Sequence, residues 1–311
     1  MLLLALVCGL TAATAQNNDW QSDKYSMFIH FGLYSDYGGV YDGEPVRQGY
    51  SEQIQSFAGI FSDWYAEQAR YFDPVGFDAD KITELAKAGG MRSIVFTSKH
   101  HDGFCMFDTK TTSYSSVAMM PAHRDFVREL SDACRKRGLR FGLYFSLIDW
   151  NYPHAYPISS HNTDFVTPEH HEFSKSQVRE LLTGYGPVSE LWFDMGSLQP
   201  AQSRELYDLV KKYQPNCLIN SRIGNGMGDY GSSGDNETDA EGNGMLYEVP
   251  ATLNDTWGYK AYDQNWKDAG TVLRIKKELN DRGINYLLNV GPDGLGRIPA
   301  PSIEILKKLK S

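Results

Sequence analysis

The sequence predicts an α/β protein, a (β/α)8-like barrel of the TIM type forming a single catalytic domain, and three observations carry that expectation. From about residue 24 onward, short apolar runs alternate with amphipathic stretches, the pattern of parallel βαβ units. About seven or eight strand–helix units favour a closed barrel, regular or irregular, over an open doubly wound sheet. The length of 311 residues suits one such barrel, since these routinely exceed about 250 residues as one unit.

Taken in order, Tyr25 to His30 reads as the first strand. Ala79 to Ala88 is helical and stops at Gly89-Gly90, a good C-terminal cap. Ser93 to Thr97 is a buried strand, Arg124 to Arg137 a helix ended by Gly138, and Arg140 to Ser146 the next strand. Phe173 to Tyr185 is helical, Glu190 to Asp194 a strand, Ala201 to Tyr213 a helix before Pro215, and Cys217 to Ser221 a strand. A loop rich in Gly, Asp and Asn spans about 224–244 and reads as a mobile cover over a site. Leu246 to Val249 and Asn285 to Asn289 are strands, Val272 to Leu279 and Ile303 to Lys310 helices.

Composition narrows the function. The net charge of −9 argues against nucleic acid or an anionic membrane as partner, since both call for a basic patch. Charged residues at 22% and aromatics at 13% exclude a disordered chain. Rings that stack while offering an OH or NH suit a polar, ring-shaped ligand. Residues 1–15 combine an apolar run with Ala13-Thr14-Ala15, so a signal peptide and an exported product are expected, periplasmic, secreted or, in a eukaryote, lysosomal. No later stretch is apolar enough to span a membrane. Cys105, Cys134 and Cys217 sit in apolar contexts and read as small core residues rather than a disulfide framework.

The chemistry of such a barrel sits at the C-terminal ends of its strands. Those ends carry His30, His100-His101, Tyr144, Asp194, Arg222 and Glu248. Adjacent residues of an extended segment point to opposite sides, so one of His100 and His101 faces a ligand unless the backbone turns. Zinc held by His30, His100 and Asp194 is a rival reading, but no HxH or HExxH spacing supports it. Asp194 closes an apolar strand, where an ionised carboxylate is costly unless paired or used; Arg222 is its candidate partner. Asp194 and Glu248 together offer the two carboxylates of glycoside hydrolysis. Asp235, Glu237, Asp239 and Glu241 in the 224–244 loop compete for the second role.

Seven segments share one further property: MFIHFGLYS (27–35), GYSEQIQSF (49–57), FTSKHHDGFCMFDTKTTSYS (96–115), RFGLYFSLIDW (140–150), ELWFDMG (190–196), YEVPATLNDTWGY (247–259) and NYLLNVGPDGLGRIP (285–299). In this order they resemble the α-L-fucosidases of glycoside hydrolase family 29, over about residues 24–300. The resemblance implies an exo-acting, retaining, two-step hydrolysis of terminal α-L-fucose from an oligosaccharide or glycoconjugate, with no metal or organic cofactor. It makes Asp194 the nucleophile and Glu248 the acid/base, with Glu237 in reserve. It places His30, Glu52, His100, His101, Tyr144, Trp192 and Arg222 around the fucose. Segment 49–57 is similar to the subgroup cleaving α-1,3/1,4 branches. Many relatives continue after the GRIP segment into a C-terminal β-sandwich, whereas residues 16–311 are expected to hold the catalytic barrel alone. The competing reading is a fucose-binding or inactive barrel without turnover. Oligomeric state is left open.

Overall fold

The computed structural model describes residues 20–154, 158 and 164–309; the expected signal peptide lies outside the described residues. Among the described residues, eight parallel strands form one sheet: β1 (Tyr25–Ile29), β2 (Ser93–Lys99), β3 (Arg140–Ser146), β4 (Glu190–Asp194), β5 (Leu218–Ile219), β6 (Gly231–Ser232), β7 (Tyr247–Ala251) and β8 (Asn285–Val290). Their spatial order is β5-β4-β3-β2-β1-β8-β7-β6, which is chain order around a ring. The two edges meet through a single parallel bridge between Asn220, just after β5, and Tyr230, just before β6. The barrel is therefore closed but irregular, as the alternation of apolar and amphipathic segments led one to expect.

β6 is the departure. It lies inside the segment read as a mobile loop, and its Gly-Ser pair carries no apolar pattern that could betray a strand. Backbone pairing makes it: Gly231 N–H donates to Leu246 O at 2.9 Å and Ser233 N–H to Glu248 O at 3.2 Å. A side chain at Gly231 would put its Cβ 2.5 Å from the Tyr247 ring, so glycine is what lets the two strands meet.

The helices follow from their caps. Asp78, Asp125, Thr167 and Asp268 each accept a backbone N–H with the side chain, starting α1 (Ala79–Ala88), α2 (Phe126–Arg137), α3 (Pro168–Gly184) and, after α4 (Pro200–Tyr213), α5 (Ala269–Asp281). Such caps satisfy N–H groups that have no partner within the helix. α3 begins five residues before the expected Phe173, because Thr167 caps it and Pro168 fits its first turn. α6 (Ala300–Lys308) closes the described chain. Among the described residues, no helix is long and apolar enough to cross a membrane. Cys105, Cys134 and Cys217 are buried and free.

Strand periodicity of two sorts the core into layers. Met27, Ile29, Leu143, Phe145, Leu191 and Phe193 face outward into the layer beneath the helices. Phe28, Val95, Tyr144, Trp192, Leu218 and Leu287 fill the barrel. Above that filling, at the C-terminal rim, stand His30, Ser146, Asp194 and Asn289; below it, at the opposite end, lie Ser26, Glu190, Glu248 and Asn285.

Candidate active site

A cavity of about 690 Å³ opens at the C-terminal rim. His30, Glu52, His100, His101, Tyr144, Trp192 and Arg222 all line it, with Asp194 among them. Phe28, Tyr50, Gln53, Asp235 and Trp257 also line it. Both histidines of the pair reach the cavity because the backbone turns at the end of β2. Gly103 adopts φ 78° and its N–H donates to His100 O at 3.1 Å, ending the extended geometry that would have sent the rings to opposite sides.

Asp194 is held on both oxygens. The Tyr144 hydroxyl donates to Oδ2 at 2.8 Å and Arg222 Nη1 to Oδ1 at 2.9 Å. Arg222 stands on a short helical turn, Ser221–Ile223, directly after β5, and its guanidinium lies 4.5 Å over the Trp192 ring. Its Nη2 donates to Ser233 O and to Asp235 Oδ1, both at 2.9 Å. The other oxygen of Asp235 accepts the Trp257 indole N–H at 3.2 Å. One planar fork thus bridges two carboxylates, the geometry a guanidinium offers and an ammonium does not. Asp235 is the more open of the two, its side chain 33% exposed against 14% for Asp194.

The segment carrying Asp235 is tethered. Asn236 N–H donates to Pro250 O at 3.0 Å, and its side-chain oxygen accepts from Thr252 N at 2.9 Å and Thr252 Oγ1 at 3.1 Å. Asn236 pays for this in a left-handed backbone, φ 61°, a conformation asparagine tolerates better than most residues.

Three neutral imidazoles face the carboxylates. Burial pushes His30 down to about 4 and His101 to about 3, and it drives His100 well below its usual range, helped by the two other rings. His30 Nδ1 lies 2.8 Å from Asn289 Oδ1, and His101 Nδ1 2.7 Å from Ser146 Oγ. The His100 ring stacks flat on Tyr144 at 5.1 Å. Glu52 is buried with Oε2 accepting Gly258 N–H at 2.8 Å, and burial raises it to about 7. The cavity therefore offers hydrogen-bond acceptors and flat rings around two bridged carboxylates, which suits a hydroxylated ring with an apolar face.

Glu248 is not part of this wall. As the second residue of β7 it pairs in register with Asn285, the first of β8, and so belongs to the opposite end of the barrel. It is fully buried, its Oε1 accepting the Trp192 indole N–H at 3.2 Å from below. Burial, reinforced by Glu190, raises it well above the usual carboxylate range. Glu237 turns back on its own loop to accept Gly234 N–H at 2.8 Å and does not line the cavity. The carboxylate brought opposite Asp194 is Asp235, which the sequence offered only as one of several acidic residues in its loop. Nothing in the local spacing marks it; its partner Arg222 does. Among the described residues, no group of three or more His, Cys, Asp or Glu side chains is placed to hold a metal ion.

The known proteins that this chain resembles share one description. The family model described as alpha-L-fucosidase matches residues 10–311. Alpha-L-fucosidase 1 of Arabidopsis thaliana is 28% identical over 96% of this chain and 60% of its own length. The chain spans 56% to 68% of the length of the first four curated relatives it matches. The alpha-L-fucosidase AlfC from Lactobacillus casei, solved with its alpha-L-fucose product, superposes with a TM-score of 0.88 at 41% identity, covering 95% of this chain and 97% of that one. A variant of the same bacterial enzyme was solved with Fucα(1,6)GlcNAc, at a TM-score of 0.84 and 42% identity, covering 93% of this chain and 96% of that one.

Proposed function

Because the chain belongs to the α-L-fucosidase family, we propose that it is an exo-acting, retaining α-L-fucosidase in which Asp194 is the nucleophile and Asp235 the acid/base. The observation that carries the assignment is the single Arg222 guanidinium bonded to both carboxylates. Such a bridge keeps them close, in keeping with the short separation, about 5 Å, that a retaining pair uses and an inverting pair exceeds.

In the first step an Asp194 oxygen bonds to the anomeric carbon as the glycosidic C–O bond breaks. Asp235, entering the step protonated, gives its proton to the departing oxygen. In the second step Asp235, now a carboxylate, takes a proton from water as the water oxygen bonds to the same carbon and Asp194 leaves. Two inversions return the original anomer. The greater exposure of Asp235 fits its task, since the leaving sugar departs on the open side. Arg222 and Tyr144 hold the nucleophile aligned, and Trp192, Phe28 and Trp257 line the cavity with aromatic carbon suited to the apolar side of the sugar. Glu248, enclosed beneath Trp192, serves to fix that ring and not to move a proton to substrate.

The substrate is read as terminal α-L-fucose on a glycan. The α-1,6 linkage, seen with the Lactobacillus casei enzyme, belongs in any assay beside the α-1,3/1,4 branches suggested by segment 49–57. We also propose that residues 1–15 direct export and are removed before Gln16, which sequencing the N-terminus of the exported protein checks. The test of the activity is hydrolysis of an aryl α-L-fucoside and of both linkage types, lost in Asp194→Ala. Folded wild-type protein that binds fucose by calorimetry yet releases none from any of these substrates would instead support a binding protein.

A further inference from the structure

We propose that Ser146 and Asn289 are positioning residues that hold the ring protons of His101 and His30 on Nδ1, so that each ring presents an unprotonated Nε2 to the cavity and the bound ligand must act as the donor.

Valence counting at Ser146 fixes the first proton. A serine hydroxyl has one proton to give and two lone pairs. Ser146 Oγ donates to Ile148 O at 2.9 Å, and it accepts from Ile148 N–H at 3.3 Å. Its remaining capacity is one lone pair, and the atom facing that lone pair is His101 Nδ1 at 2.7 Å. Nδ1 must therefore carry hydrogen. The opposite tautomer would make Ser146 donate to the ring and leave Ile148 O against a lone pair at hydrogen-bond distance.

At His30 the carbonyl of Trp257 does the sorting. Asn289 Nδ2 donates to Trp257 O at 2.7 Å, which a flipped amide could not do, so Oδ1 is the atom turned to His30 Nδ1 at 2.8 Å. An amide oxygen only accepts, and Nδ1 must again be the N–H. Both rings are neutral in the environment already described. Facing His30 are Asn289 from β8, His100 after β2, Tyr144 from β3, Asp194 from β4 and Asp235 after β6. Facing His101 are Ser146 and Trp150 from β3 and its following loop, His100 and Lys99 beside it, and Asp194 and Asp235 across the cavity.

The consequence appears between His101 Nε2 and Asp194 Oδ2, which lie 3.9 Å apart. That is beyond hydrogen-bond range, and with the proton on Nδ1 neither atom has hydrogen to share. The gap is shaped for a donor supplied by the ligand. With the other tautomer, an Nε2–H would compete for the nucleophile's own lone pairs. What this means for a sugar rests on the fucosidase reading, whereas the proton placement does not.

The experiment is long-range 15N–1H correlation NMR on 15N-histidine-labelled wild-type protein, with His30→Gln and His101→Gln for assignment. Expected are protonated Nδ1 and unprotonated Nε2 at both rings at neutral pH, without any ligand. In Ser146→Ala, His101 is expected to move to the Nε2–H form and kcat/KM on an aryl α-L-fucoside to fall about tenfold, the scale of one buried hydrogen bond. An Nε2–H signature at either ring of the wild type overturns the proposal, even if Ser146→Ala fails to fold. A protein with the expected spectra but no hydrolysis would contradict the fucosidase reading alone.

Discussion

At Asp194 and Asp235 the deciding contact is the guanidinium they share. Arg222 reaches each with a different nitrogen while stacking on Trp192, so its shape matters as much as its charge. A lysine would keep the charge and lose the fork. Arg222→Lys is therefore expected to lower kcat/KM by about a hundredfold, combining loss of alignment with loss of a charge-assisted bond, which steady-state kinetics on an aryl fucoside will measure. Glu248→Gln, by contrast, keeps an acceptor for the Trp192 N–H and is expected to leave kcat within about tenfold of wild type, since a replaced acid/base would cost about 100- to 10,000-fold. Asp194 was legible in the sequence because an acid ending an apolar strand needs a reason. The place of Asp235 at the cavity was not, because among Asp235, Glu237, Asp239 and Glu241 only the fold brings one beside Asp194, through Arg222 thirteen positions away.

At the scale of elements, two features shape the rim. The segment around β6 reads from the sequence as a mobile loop; in the structure it holds a short strand, Asn236 bonds it to the backbone at and after β7, and the Arg222 fork holds Asp235. Short backbone-paired strands without side-chain periodicity are invisible to a pattern search, and this one is two residues long. The second feature is the pair Lys99–Asp149, joined at 3.2 Å with both side chains buried, at the turn that delivers His100 and His101. Asp149 also accepts the N–H groups of Asn151 and Tyr152, so it organises the loop after β3. Removing one partner of a buried pair strands the other charge at a cost of about 3–5 kcal/mol. Lys99→Met is expected to lower urea-unfolding stability by that amount, whereas the exposed pair Lys110–Asp108 should contribute well under about 1 kcal/mol when broken.

Across the whole molecule, the barrel separates its acids by height. Asp194 and Asp235 sit at the open rim, while Glu190 and Glu248 are enclosed at the far end, where Glu190 accepts the Tyr230 hydroxyl at 2.9 Å. The alternation that predicted the barrel located its strands in the sequence, but not how far along the barrel axis each begins. That one missing coordinate, the register of β7 against β8, moved Glu248 from the mouth to the floor. Burial raises Glu190 from 4.5 to about 7, so folding favours its protonated form. That contribution is fully present below about pH 4.5 and is lost as pH rises through 7. Glu190→Gln stays neutral throughout, so its Tm relative to wild type is expected to climb between pH 5 and pH 8; a difference that stays flat or falls would contradict the account.

The assignment of the two carboxylates is tested most directly by adding azide to variants turning over an aryl α-L-fucoside. With Asp194→Gly, azide should take the nucleophile's place and yield β-L-fucosyl azide. With Asp235→Gly, it should intercept the fucosyl–enzyme intermediate and yield α-L-fucosyl azide. If α-azide forms instead with Glu248→Gly while Asp235→Gly gives none, the acid/base is Glu248 and the pairing through Arg222 has been misread.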